Sequence, residues 1–180
     1  MCGECRESQP AFAAARAALV YDGRCRDLIH AYKYQKRTHL RRPLALLAAD
    51  SLRDFLAACA PDLMVPVPLH VRRLRERGFN QAVLLGEVWS REWNLPLDRS
   101  AMRRIRWTEP QISLTAAQRR DNVKGAFDVG HADGVKGRRV LLVDDVYTTG
   151  STVKECAATL RAAGALEVSV VTVARAPGGS

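Results

Sequence analysis

Short runs of branched apolar residues alternate along the chain with longer stretches whose apolar positions recur at helical spacing. Runs at 17–21, 63–67, 140–143 and 168–174 predict strands, and the last is nearly continuous in β-branched residues, as a strand buried on both faces of a parallel sheet would be. Stretches at 24–35, 40–60, 81–93 and 153–163 predict helices. The first puts Leu28, Ile29 and Tyr32 on one face, with Lys33 and Arg37 projecting from its end. The second carries Leu44, Leu47, Leu52, Phe55 and Leu56 as an apolar stripe, with Pro43 in its first turn. Strands and helices in this alternation indicate an α/β domain over 17–175, with a central, mostly parallel sheet flanked by helices. Between 103 and 127 the pattern lapses into a polar, basic stretch broken by Thr108, Pro110 and Ser113, with a capping-box form at Thr115 to Gln118 that starts a short helix through Asn122. A long loop of this kind inside a domain predicts a functional segment such as a mobile, water-excluding lid. Residues 131–134 read as a turn and 176–180 as a flexible tail.

The chemistry concentrates after the third apolar run. Val140 to Val143 lead into Asp144 and Asp145, then into Thr148, Thr149, Gly150, Ser151 and Thr152, and then into a helix. In an open α/β sheet, ligands bind outside the carboxyl ends of strands, which is where this loop would lie. Hydroxyls, a glycine and a helix N-terminus suit an anion. Two carboxylates suit something beside it that donates hydrogen bonds or chelates a cation, such as sugar hydroxyls or Mg²⁺. A phosphate next to a polyol is a sugar phosphate. A P-loop nucleotide site is excluded, because the chain has no G-x-x-x-x-G-K-[ST].

The formal net charge of +9, carried mostly by arginine, favours anionic partners without choosing among a polyphosphate, a nucleic acid and an acidic protein. After the second strand, Pro66 and Pro68 fix the backbone where a cis peptide is affordable, and 72–81 reads as a cationic loop closed by Gly78, with an N-cap at Asn80. Its arginines suit pyrophosphate oxygens or, as Arg72, Arg73, Arg75 and Arg77 together, a nucleic acid backbone. Phe79, Trp89, Trp93 and Trp107 could stack on bases, although helical spacing puts Trp89 and Trp93 in a core. Cys2 and Cys5 form one C-x-x-C, half of the four-ligand set of a structural zinc site; Cys25, a histidine, a second subunit or nothing would complete it. The expectation is little stoichiometric zinc. His30 and His39 have no partner at ligand spacing, and Cys59 and Cys156 read as packing residues. Five cysteines, an odd number, and no spanning or leader pattern predict a cytoplasmic protein without membrane insertion.

The run VLLVDDVYTTGST resembles the signature of the type I phosphoribosyltransferases, which bind 5-phosphoribosyl-1-pyrophosphate (PRPP). Together with the C-x-x-C start, YDGRCRDLIHAYKY, VPVPLHVRRLRERGFNQA and TEPQISLTAAQRRDNVKGAF, it makes nearly the whole chain resemble the ComF family of competence-associated, phosphoribosyltransferase-like proteins. The resemblance implies the type I phosphoribosyltransferase fold with a mobile hood loop at 103–127. It implies that Asp144 and Asp145 hold the ribose hydroxyls, in part through Mg²⁺-bound water, and that Thr148, Thr149, Gly150, Ser151 and Thr152 cradle the 5′-phosphate. Pyrophosphate would fall to Pro68, Leu69, His70, Arg72 and Arg73. It also implies a zinc finger of two C-x-x-C pairs, of which this sequence has one, so that 1–16 would be its remnant. Tyr147 stands where many phosphoribosyltransferases carry an aliphatic residue, and Thr148 where purine-salvage relatives carry an aspartate; a threonine cannot act as a general base at neutral pH, which disfavours simple purine salvage. The expected activity is PRPP binding with Mg²⁺ and phosphoribosyl transfer to an unknown acceptor, linked to DNA uptake. The rivals are a module for single-stranded DNA and a PRPP sensor for competence-machinery proteins, and a homodimer stays open.

Overall fold

The computed structural model describes residues 10–108 and 116–177, so Cys2 and Cys5 lie outside the described residues. In chain order the elements are β1 (Ala14–Val20), α1 (Gly23–Tyr34), a 3₁₀ turn (Thr38–Leu40), α2 (Arg41–Ser51), α3 (Arg53–Cys59), β2 (Leu63–Pro66), α4 (Val71–Arg77), α5 (Gln81–Glu92), β3 (Met102–Arg104), α6 (Ala116–Val123), β4 (Phe127–Val129), β5 (Arg139–Tyr147), α7 (Ser151–Ala162) and β6 (Glu167–Arg175). Four strands form one sheet in the order β1-β6-β5-β2, every pair parallel, while β3 and β4 pair antiparallel as a separate flap.

The central strands are apolar on both faces because both faces are covered. Val140 and Leu142 of β5, with Val65, Val168 and Val170, pack under Val153, Cys156, Ala157 and Leu160 of α7 and under the flap. Leu141 and Val143, with Met64, Val171 and Val173, pack under α1, α2 and α5. The result is a helix, sheet, helix sandwich with the strand ends of β2 and β5 opening on the same side.

Three expectations change. The stretch 40–60 is two helices separated at Leu52; of its expected stripe Leu44 and Leu52 are buried and Phe55 and Leu56 pack against the core, while Leu47 is 58% exposed and Ala45, Ala48 and Ala49 complete the buried face of α2, and Leu28 of α1 is 42% exposed. The alanines matter for a steric reason. They leave room for Trp89 of α5, fully buried, whose indole N–H donates to the Ala45 carbonyl at 2.8 Å and whose ring stacks on Trp93 at 5.2 Å. Those two indoles are therefore core. Second, the cationic loop after the second strand is mostly helix α4, capped by His70, whose Nδ1 accepts from the Arg72 N–H at 3.2 Å, and closed by Gly78 in the left-handed region. Leucine, arginine and glutamate are good helix formers, and the charge density had masked that propensity. Third, β5 does not stop at Val143. Backbone pairing with β6 continues through Asp144, Val146 and Tyr147, because ladder bonds are indifferent to side-chain charge. The peptide bonds at Pro66 and Pro68 are trans.

The altered stripe makes a direct prediction. Leu44→Ala should lower unfolding free energy by about 2–5 kcal/mol, whereas Leu47→Ala should change it by less than about 0.5 kcal/mol. Urea unfolding of the two variants checks this; equal losses would restore a leucine stripe.

Candidate functional site

At the carboxyl ends of β2 and β5 lies a cleft of about 330 Å³. Its floor is Asp144, Asp145 and Val146. One rim is the turn from Tyr147 to Val153, another is Val67 to His70 with Arg73 and Arg77 of α4, and Lys33, Tyr34, Gln81, Arg104, Trp107 and Thr108 close the sides. The turn is shaped by Gly150, at φ 73°, where a side chain would both strain the backbone and meet the Tyr147 hydroxyl. Ser151 opens α7 at 5% exposure, and its hydroxyl lies 2.9 Å from that of Thr149. A helix start with hydroxyls and a left-handed glycine is suited to an anion.

The two carboxylates have different surroundings, because alternate residues of a strand face opposite sides. Asp145 continues the face of Leu141 and Val143 and meets the Lys33 ammonium of α1 at 2.8 Å, with the two side chains only 9% and 18% exposed. Burial alone would pull the Lys33 ammonium down, but the charges of Asp145 and Asp144 and the hydrogen bond to Asp145 raise it, so it stays protonated. Asp144 has no such partner among the described residues. One of its oxygens accepts the Asp145 backbone N–H at 2.8 Å, and burial together with the neighbouring Asp145 charge pushes its carboxyl up to about 7, against the opposing pull of Lys33 and Arg104. Arg104, from β3 of the flap, donates to the Thr108 hydroxyl and lies over the Phe127 ring at 5.2 Å, while its Nε has no partner among the described residues.

The arginines of α4 divide by helical phase. Arg73 and Arg77, four apart, reach the cleft, and Arg77 covers the Tyr34 ring at 5.3 Å. Arg72 and Arg75 turn outward; Arg72 pairs with Glu76 at 3.3 Å and lies 4.7 Å from the Trp107 ring, which also meets His70 edge-on at 5.4 Å. Of the residues expected to hold pyrophosphate, Pro68, Leu69, His70 and Arg73 line the cleft and Arg72 stands on its outer edge. Of those expected at the phosphate turn, Thr148, Gly150, Ser151 and Thr152 line it and Thr149 backs them. Phe79 packs on Tyr32 at 5.7 Å, so among the four aromatics weighed for base stacking only Trp107 lines the cleft.

Lys33, Gln81, Arg104 and the two tyrosines Tyr21 and Tyr34 enter the cleft without a signal in local sequence; each arrives by tertiary packing. No group of three or more His, Cys, Asp and Glu that could hold a metal occurs among the described residues, and Cys25, Cys59 and Cys156 are free thiols. Asp144 and Asp145 fit a Mg²⁺ that brings its own phosphate and hydroxyl oxygens, since one carboxylate is already paired and two cannot enclose the ion. No described helix is long and apolar enough to cross a membrane.

Residues 104–180 match the phosphoribosyl transferase domain family. The chain is 36% identical over 179 residues to competence protein F of Haemophilus influenzae, covering 97% of this chain and 78% of that protein. It is 37% identical over 177 residues to the DNA utilization protein YhgH of Escherichia coli K12, covering 97% and 77%. Among solved structures it resembles a glutamine PRPP amidotransferase from B. subtilis complexed with ADP and GMP, at TM-score 0.53 and 20% identity over 80% of this chain and 30% of that one. That likeness shows the type I phosphoribosyltransferase fold.

The position of Asp144 predicts a pH dependence. A carboxyl whose value in the fold, about 7, exceeds its ordinary 3.8 stabilises the protein below the lower value, and that contribution is lost as pH rises through the higher one. Asp144→Asn, which keeps the oxygen that accepts from Asp145, should therefore raise stability at pH 8 by on the order of 1–3 kcal/mol and change it little at pH 4. Denaturant unfolding at both pH values checks the sign, and a gain that is the same at both would refute it.

Proposed function

The chain belongs to the ComF family of competence-associated, phosphoribosyltransferase-like proteins, and from that premise we propose that its cleft binds PRPP and transfers the phosphoribosyl group to an acceptor in the handling of incoming DNA. The observation that carries this reading is the gathering, around one volume, of a hydroxyl-bearing turn at a helix N-terminus, an acidic pair and a cationic rim. A ligand that satisfies all three has a phosphate, a vicinal diol and a second polyanion. PRPP has that form.

In this reading the Gly150 turn and the α7 N-terminus hold the 5′-phosphate, with the hydroxyls of Thr148, Thr149, Ser151 and Thr152 around it. Asp144 and Asp145 accept hydrogen bonds from the ribose hydroxyls. The acceptor attacks C1 as the C1–O bond to pyrophosphate breaks, and positive charge develops on the sugar while negative charge grows on the departing group. Arg73, Arg77 and the backbone at 67–70 are positioned to neutralise that growing charge, and the flap that brings Arg104 and Trp107 to the cleft would exclude water. Mg²⁺, where bound with the pyrophosphate and reached by Asp144 and Asp145 through water, supplies further charge neutralisation of the leaving group. No residue of the cleft is a convincing nucleophile, which fits direct transfer to the acceptor.

The test is calorimetry of PRPP binding in Mg²⁺. The double change Asp144→Asn with Asp145→Asn should weaken binding about 100-fold or more, with circular dichroism reporting an intact fold. Unchanged affinity in a folded double variant would remove the site assignment.

A second reading, a surface for single-stranded DNA, draws on one observation: Trp107 lies beside Arg72 and Arg73, at 4.7 and 5.5 Å, next to the outward-facing Arg75. Cations flanking an aromatic ring suit a stacked base and its phosphates. Each phosphate contact on a single strand contributes about 0.7 to the log–log salt slope, so Arg72→Ala with Arg75→Ala should lower the slope by about 1.4 while leaving PRPP affinity unchanged. No binding at low salt, or an unaltered slope, would dismiss this reading.

A further inference from the structure

Gln81 is 2% exposed, lines the cleft, and its side-chain Nε2 has no hydrogen-bond partner among the described residues. Buried amide donors are almost always paired, because an unpaired one forfeits its hydration for nothing. A leucine would fill the same space at no such cost. The position is also held firmly. The Tyr32 hydroxyl of α1 donates to the Gln81 carbonyl at 3.1 Å, and the adjacent Asn80 donates to the Val67 carbonyl at 3.0 Å while accepting from the Ala82 N–H at 2.9 Å. Gln81 is thereby tied on one side to the helix that bears Lys33 and on the other to the start of the 67–70 loop.

Lys33 follows Tyr32 on that helix. Asp145 engages its ammonium at 2.8 Å, yet an ammonium has three protons to donate. The Nε of Arg104, from the flap, is a further unpaired buried donor bordering the same cleft. Two unpaired buried donors, from α5 and from the flap, and an ammonium from α1 with protons beyond the one Asp145 takes thus belong to residues that line one cleft, and their complement is an oxygen-rich anion between the acidic pair and the 67–70 loop. The anion at the 148–152 turn is a different one, because that turn has its own hydroxyls and helix terminus.

We propose that Lys33 and Gln81 form a donor pair for the diphosphate at C1 of the ligand, so that the cleft selects a ribose 5-phosphate bearing a C1 diphosphate over ribose 5-phosphate itself. This rests on the phosphoribosyl reading of the cleft and extends it to residues outside the turn, the acidic pair and the 67–70 loop. In it, Gln81 and Lys33 are specificity-determining residues, and the cost of a buried unpaired amide in the empty protein is recovered when the diphosphate is bound.

The experiment compares the parent chain with Gln81→Leu and Lys33→Gln, measuring the melting temperature of the ligand-free protein and the Kd for PRPP, inorganic pyrophosphate and ribose 5-phosphate, all in Mg²⁺. Gln81→Leu should raise the melting temperature by about 2–4 °C, because an unsatisfied donor is removed. It should also weaken PRPP and pyrophosphate about 10-fold while leaving ribose 5-phosphate unchanged. Lys33→Gln, which retains a donor toward Asp145, should show the same selective loss; if it fails to fold, Gln81→Leu decides alone. A lower melting temperature with all three affinities unchanged would mean that Gln81 is structural, and an equal loss for all three ligands would mean that it does not discriminate; either overturns the proposal and leaves the phosphoribosyl reading standing. A parent chain that binds none of the three overturns both.

Discussion

Strand β5 is covered by helices on both faces, and its alternation has no side open to bulk water until it leaves the sheet. Placing two consecutive aspartates within such a strand forces them into opposite layers, each needing its own means of tolerating burial. Asp145 obtains a cation from α1, and Asp144 obtains a backbone N–H and a raised proton affinity. The acidic pair is therefore two unlike sites. One is a fixed carboxylate locked to a lysine, and the other is a carboxyl whose charge depends on what stands in front of it. The surrounding cleft is arranged about that difference, with cations on the α1 side and again on the flap side.

The parts of this protein that were legible in the sequence are those in which local chemistry and position coincide. Val140 to Thr152 could be read as a strand and a turn leading to a helix at the cleft because the apolar period, the glycine and the hydroxyls are contiguous, and the parallel sheet followed from the strand and helix alternation. Lys33 was not legible: its helix is a short amphipathic one, and only the packing of Ile29 and Tyr32 turns the next residue toward β5. Gln81 was read as the start of a helix, correctly, but its burial comes from α1 and the 67–70 loop, which are remote in sequence. The stripe over 40–60 failed at Leu47, where alanines take the buried face of α2, for the opposite reason. Hydrophobicity ranks leucine over alanine, whereas the space required by Trp89 favours small residues.

Helix α4 shows how one charged segment can face two ways. Its period sends Arg73 and Arg77 inward and Arg72 and Arg75 outward, so one concentration of charge is divided between two surfaces. Trp107 joins them, touching Arg72 from outside while lining the cleft. Among the described residues, the segment that follows β3 is thus connected to the cationic helix through rings and guanidinium groups.

The strand order has a consequence for how the chain is made. Among the described residues β1 is paired only with β6, and the register sets Ala14 beside Ser169, so β1 lacks this neighbour until β6 has been synthesised. β6 then enters between two strands already in place, completing both ladders at once. On a ribosome β1 and β2 would both stand unpaired until β5 and β6 are made, which makes co-translational protection by chaperones more relevant here than in a protein whose sheet grows from neighbour to neighbour.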